Sequence, residues 1–103
     1  MYNYDFDNEK IIKEFTNTKI DINGDRKVLD IILTDKNILI FRESTQDNVL
    51  KAAIFIHQIP KYDLLYSFTK NVKMTNAPTM DDTTIHGEDE ITLYNINLKE
   101  EIK

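Results

Sequence analysis

Cysteine is absent from this chain, which removes disulfides, thiolate nucleophiles and thiolate-held zinc or iron–sulfur centres together. Tryptophan is absent too, and glycine and proline occur only twice each. Gly24 and Gly87 do not make a Walker A loop or a dinucleotide fingerprint, whose glycines let backbone approach phosphate closely. No Gly-x-Ser-x-Gly elbow is present to hold a serine nucleophile. No apolar run approaches the roughly 20 residues that a spanning helix needs. The opening Met1-Tyr2-Asn3-Tyr4-Asp5-Phe6-Asp7 is acidic and aromatic, whereas a signal peptide starts basic and turns apolar. Positive charge is also in deficit, with a net charge of −5. The basic residues are scattered singly, so the counterion-releasing face of a nucleic-acid binder is missing, as is the polybasic patch that seeks anionic membranes.

What remains is an acidic, cofactor-free chain of 103 residues, 41% hydrophobic and 30% charged. That balance belongs to a folded domain, and the length to one domain over residues 1–103 with a core of its own. The lack of cysteine fits the cytoplasm. An abundance of Ile, Asn and Lys fits an AT-rich bacterial or phage genome.

The first element reads as a helix after Asp7. Asp7 suits an N-cap, Glu9 suits the positive end of the dipole, and Ile11, Ile12 and Phe15 share one face. Phe6 and Ile11 are placed for a hydrophobic staple. From Lys19 the pattern changes to period two. Lys19-Ile20-Asp21-Ile22 leads into Asn23-Gly24, a pair suited to a type I′ turn because both positions need positive φ. A strand over Lys27–Thr34 follows, with Leu29, Ile31 and Leu33 on one face and Val28, Asp30 and Ile32 on the other. Asp35-Lys36-Asn37 turns the chain into Ile38–Arg42, completing a three-strand meander from Lys19 to Arg42. After a polar loop from Glu43 to Asn48, residues 50–59 read as a strand closed by Pro60. A strand over Leu64–Phe68 should point Leu64, Tyr66 and Phe68 one way, with Asn71–Thr75 read as its extension. Asn76–Asp82 reads as a long loop, Thr83–His86 as a short strand, Gly87-Glu88-Asp89 as a turn and Glu90–Ile96 as the last strand. Asn97 and Glu100 have capping-box spacing for a closing helix. The expected fold is α+β but mostly β: a curved antiparallel sheet or partly open barrel of about six or seven strands, with an N-terminal helix and a short C-terminal one.

Candidate sites are few. His57 lies in an apolar stretch and reads as a packed or edge histidine. His86 has Asp81, Asp82, Glu88 and Asp89 nearby, but the spacing matches neither an EF-hand loop nor a His-Glu-x-x-His pair. A solvated acidic loop is therefore the preferred reading, and no metal is assigned. Asp30 sits among apolar neighbours, but strand alternation turns it toward solvent. Tyr2, Tyr4 and Phe6 alternate with polar residues, which fits either an arm docking on a partner or a neighbouring subunit, or an edge strand or tail folded onto its own sheet.

The stretch Val28-Leu29-Asp30-Ile31-Ile32-Leu33-Thr34-Asp35-Lys36-Asn37-Ile38-Leu39-Ile40-Phe41, and the shorter Ile59-Pro60-Lys61-Tyr62-Asp63-Leu64, resemble the bacterial pleckstrin-homology-like domains. In those domains a strand ending in Leu-Thr turns through a short polar loop into an aliphatic strand. The likeness rests on two stretches that together cover about a fifth of the chain. It implies a curved sheet closed by a terminal helix, although this chain has little length after Asn97 for one. The basic first hairpin of the lipid-binding members is reduced here to Arg26 and Lys27, so lipid binding is not carried over.

The function expected from all this is a non-enzymatic protein-interaction or self-assembly module working through Leu39, Phe41, Tyr62 and Tyr66. The second expectation is a small inhibitor or immunity-type protein that blocks a basic active site through Asp81, Asp82, Glu88 and Asp89. A metal enzyme using His86, Asp81 and Asp89 comes third.

Overall fold

The computed structural model describes residues 2–44, 61–70 and 79–101. Eight strands among them form one open sheet: β1 (Tyr2–Asn3), β2 (Ile11–Ile22), β3 (Asp25–Thr34), β4 (Asn37–Glu43), β5 (Tyr62–Thr69), β6 (Thr79–Met80), β7 (Thr84–His86) and β8 (Glu90–Leu93). Their lateral order is β1-β5-β4-β3-β2-β8-β7-β6. Among the described residues every ladder is antiparallel except β1 with β5, which is parallel. One helix of four residues, α1 (Leu98–Glu101), closes the described chain. No helix among the described residues is long and apolar enough to cross a membrane.

The meander from Lys19 to Arg42 is the centre of this sheet. At its first turn Asn23 and Gly24 have φ of 51° and 90°, the left-handed values that a type I′ hairpin demands. At its second, the Thr34 hydroxyl accepts the N–H groups of Lys36 and Asn37 at 3.1 and 2.9 Å. The sheet is strongly curled. The Tyr66 hydroxyl on β5 donates to the Asp89 carboxylate in the β7–β8 turn, yet β5 and β8 are four positions apart. On a flat sheet that separation would be about 19 Å, so the sheet must bend to bring the two together. The concave face holds the main core: Ile20 and Ile22, Leu29, Ile31 and Leu33, Ile38 and Ile40, Ile85, Ile91 and Leu93, then Ile96 and Leu98.

The expected N-terminal helix is replaced by strand, and the sheet has eight strands with a parallel edge rather than six or seven antiparallel ones. The region read as helical is the first half of β2, paired with β3 from Ile11 opposite Thr34 to Phe15 opposite Ile31. Two irregularities explain the misreading. Register slips between Ile11 and Lys13 and again between Phe15 and Thr18, each adding one residue to β2. Such β-bulges break the period of two, and they leave Ile11, Ile12 and Phe15 at a spacing that imitates a helix face. Ile11 and Ile12 are exposed, so no apolar helix stripe exists. Asp7 has no helix to cap, since β2 follows it, and its N–H is bonded to the Asp5 carboxylate at 2.9 Å. Phe6 packs on Phe41 rather than stapling to Ile11.

Smaller corrections follow the same logic. Thr79–Met80, read as loop, pairs with β7. The last strand stops at Leu93, with Asn95 in the left-handed region at φ 65°, though Ile96 still reaches the core. Asn97 caps α1 as its spacing implies, its side-chain oxygen accepting the Glu100 N–H at 3.1 Å. The strand expected over residues 50–59, its His57, and the extension over 71–75 lie outside the described residues.

Candidate binding face of the sheet

The convex face carries a second, smaller core, and it is aromatic. Ile32, Leu39 and Phe41 are fully buried there, with Tyr2, Tyr4, Phe6, Tyr62 and Leu64 packed against them. Strand alternation dictates this set. Leu39 and Phe41 on β4 point away from Ile38 and Ile40, and Ile32 on β3 points away from Ile31 and Leu33. A sheet buried on both faces needs a cover on each side, and here the second cover is the segment preceding β2.

That segment is a strap. It starts beside β5, where Tyr2 and Asn3 pair in parallel with Tyr62 and Asp63, and must cross β4 and β3 to reach β2. Tyr2 stacks on Tyr62 with ring centroids 4.9 Å apart and meets Phe41 at 4.7 Å. Tyr4 meets Phe41 edge-on at 6.3 Å and Phe6 at 4.8 Å, within the range of favourable aromatic pairs. At the far end Glu9 is the anchor. Its carboxylate accepts hydrogen bonds from the Tyr4 hydroxyl, the Asn37 amide and the Thr34 hydroxyl. Burial pushes the Glu9 carboxyl up, but these three donors outweigh it and hold it below the ordinary range. The Glu9 bond, with burial behind it, raises the Tyr4 phenol to about 12.

Under the strap lies Asp30, which is buried and not solvent-facing as alternation alone suggested. The alternation is right about its side of the sheet, but that side is covered. Its two oxygens are each used. Oδ1 accepts the backbone N–H of Asn17 at 2.9 Å, and Oδ2 accepts the Tyr2 hydroxyl at 3.1 Å. Asn17 has φ of 53° and belongs to the bulge in which Thr16 and Asn17 face the single residue Asp30. The carboxylate thus supplies the partner that the bulge's N–H loses from the ladder. Burial, then the Asp30 charge and hydrogen bond, push the Tyr2 phenol up to about 12.

The residues singled out from sequence fall into three places. Leu39, Phe41 and Tyr62 do come together, but beneath the strap, and Leu39 and Phe41 are 0% exposed. Leu39 and Phe41 therefore offer no contact surface while the strap is in place, whereas Tyr62 is half-buried. Tyr66 faces the opposite side, in the main core. The reason is another bulge: Ile40 faces Tyr66 while Phe41 faces Leu64, leaving Leu65 extra. The expected common face of Leu64, Tyr66 and Phe68 is thereby broken, with Leu64 convex and the other two concave. Ile32 and Leu64, which the sequence reading left out of the site, belong to the convex cluster. The signal was available in the alternation of β3 and in the two-residue spacing of Tyr62 and Leu64 on β5.

Of the acidic residues in the β6–β8 region, Asp81 and Glu90 flank His86, while Asp82, Glu88 and Asp89 do not join them. Asp81 accepts the N–H groups of Thr83 and Thr84 and meets His86 Nε2 at 3.0 Å. Those bonds, the His86 one foremost, bring its carboxyl down to about 2. Glu90 lies 2.9 Å from the other ring nitrogen of His86, Nδ1. Asp89 turns away to Tyr66 and to the Asn23 amide, while Asp82 and Glu88 are exposed. Among the described residues no three such groups are placed to hold a metal ion.

Comparison with family models, with curated proteins and with solved structures gave no match.

Proposed function

We propose that the chain is a non-enzymatic protein-interaction module whose convex β4–β5 face takes up an extended protein segment carrying aromatic side chains at alternate positions. The observation behind this reading is intramolecular. Tyr2, Tyr4 and Phe6 already occupy the face in that form, with strand pairing at the β5 edge and rings against Phe41. Main-chain pairing for affinity and alternate side chains for selectivity is the logic of strand addition. A buried aromatic cluster also supplies the anchor contacts that dominate such interfaces. The strap belongs to the same chain and competes for the face, so a partner binds by displacing it.

The cytoplasmic and bacterial or phage setting, and the likeness to the pleckstrin-homology-like domains, belong to the same proposal. That likeness rests on the stretches 28–41 and 59–64. The inhibitor reading draws less support, because Asp81 and Asp89 are engaged within the molecule.

The test uses a synthetic peptide of the sequence Tyr-Asn-Tyr-Asp-Phe-Asp added to the full chain and to its Phe6→Ala variant. A tethered strap competes at an effective concentration of about millimolar, so the variant should bind more tightly than the parent. Amide shifts should appear at Ile32, Phe41, Tyr62 and Leu64. Absence of shifts in both proteins at millimolar peptide would refute the reading.

A further inference from the structure

The β2–β3 turn is held by three hydrogen bonds from one residue. Asn23 donates its backbone N–H to the Glu90 carbonyl at 2.8 Å. Its side-chain oxygen accepts the Glu90 N–H at 2.9 Å, and its Nδ2 donates to Asp89 Oδ1 at 2.9 Å. The other Asp89 oxygen accepts the Tyr66 hydroxyl. Asn23 therefore continues the clamp that joins β5 to the β7–β8 turn and ties it to the hairpin tip.

The residue after it is Gly24, with nothing within 4 Å of where a Cβ would stand. A peptide nitrogen with no neighbouring side chain is the least hindered nucleophile toward the preceding asparagine amide. We infer that Asn23 is a spontaneous modification site, a deamidation point held in check by the fold, whose conversion to a carboxylate unlocks the hairpin from the β7–β8 turn.

The chemistry needs only water. The Gly24 backbone nitrogen attacks Asn23 Cγ and forms a five-membered imide. The Cγ–Nδ2 bond breaks, and ammonia leaves carrying the proton lost from the Gly24 nitrogen. Water then adds to one of the two imide carbonyls and opens the ring, giving aspartate by one route and isoaspartate by the other. Attack requires Cγ to swing toward the Gly24 nitrogen, and the bonds to Glu90 and Asp89 oppose that rotation. The folded turn is consequently slower to react than the same dipeptide in an open chain.

The product differs from asparagine where the clamp is most sensitive. The Nδ2 donor becomes an oxygen facing Asp89 Oδ1, so a hydrogen bond is replaced by two carboxylates at contact distance, each disfavouring the other's charge. Isoaspartate further lengthens the backbone of a tight turn whose two central residues both need positive φ.

The full chain is incubated at mildly alkaline pH, natively and in urea, and mapped by peptide mass spectrometry. Asn23 should convert ahead of every other asparagine, and several-fold faster in urea than in the native protein. Asn23→Asp should melt a few degrees below the parent, and adding Asp89→Asn should recover part of the loss. Conversion at other asparagines first, or an equal rate in both solvents, would overturn the inference. So would an Asn23→Asp protein as stable as the parent, or one whose loss Asp89→Asn leaves untouched. The mass time course on the unmodified chain decides the site even where the variant does not fold.

Discussion

The Tyr2 hydroxyl donates to Asp30 Oδ2 at 3.1 Å, tying together residues 28 positions apart. One is in the strap and the other in the middle of β3, opposite the bulge of β2. This bond couples coverage of the convex face to the local geometry of a strand that the strap does not touch by pairing.

Tyr2→Phe should therefore destabilise the fold by about 1–3 kcal/mol, because it leaves one oxygen of a buried carboxylate without its donor. Asp30→Ala should cost more than Tyr2→Phe, since it also orphans the Asn17 N–H. Urea midpoints of the two single variants and the double variant give the coupling, which should be clearly non-zero for groups in direct contact. Strict additivity would show that the bond contributes nothing.

Phe41→Ala should lose about 3–5 kcal/mol, the usual range for emptying a buried aromatic site. Tyr2, Tyr4 and Phe6 all rest on this ring, so the strap should loosen as well. Faster amide exchange over residues 2–6 would report that loosening. Val28→Ala, at a position 59% exposed, should change stability by less than about 0.5 kcal/mol.

The His86 cluster gives a pH dependence with a definite sign. His86 is raised above its ordinary 6.5, foremost by the hydrogen bond to Asp81. A raised folded value means stabilisation is complete below the unfolded value and is lost as pH rises through the folded one. Asp81 is lowered from 3.8 to about 2, so its contribution is present above the ordinary carboxylate value and fades as pH falls through the lowered one. The stability difference between the parent and His86→Gln should therefore peak between about pH 4 and pH 6.5 and shrink on either side. Denaturant titrations across pH measure this, and a flat difference would contradict it.

Gly24→Ala should destabilise by about 1 kcal/mol. The added methyl meets nothing within 4 Å, so the whole cost is conformational, arising from φ of 90°. A clash-driven loss of several kcal/mol would mean the turn is tighter than this geometry.

Asn97→Ala removes the acceptor for the Glu100 N–H and should cost about 0.5–2 kcal/mol. The helix it caps is a single turn, held also by the buried Leu98. Exchange should accelerate at Glu100 and Glu101 while the sheet amides stay protected.

Local chemistry in the sequence determined much of the centre of this protein. Asn23-Gly24 set a hairpin because two consecutive positive φ values suit few other pairs. Alternation in Lys27–Thr34 and Ile38–Arg42 set which side chains share a face, and Asn97 marked a helix start. The missing cysteines left the chain without disulfides or thiolates.

Tertiary structure decided the rest, for one recurrent physical reason. Three bulges, at Ile12, at Thr16–Asn17 and at Leu65, shift the strand period by one residue, and a bulge leaves little trace in a hydrophobic pattern. The first two disguised half of β2 as a helix, and the third sent Tyr66 to the opposite face from Tyr62 and Leu64. Coverage was left undecided, since alternating Tyr2, Tyr4 and Phe6 fitted a docking arm as well as a segment folded onto its own sheet. Alternation placed Asp30, Leu39 and Phe41 on the convex face, but only the folded path of Tyr2–Phe6 over that face made it a second core rather than an open surface.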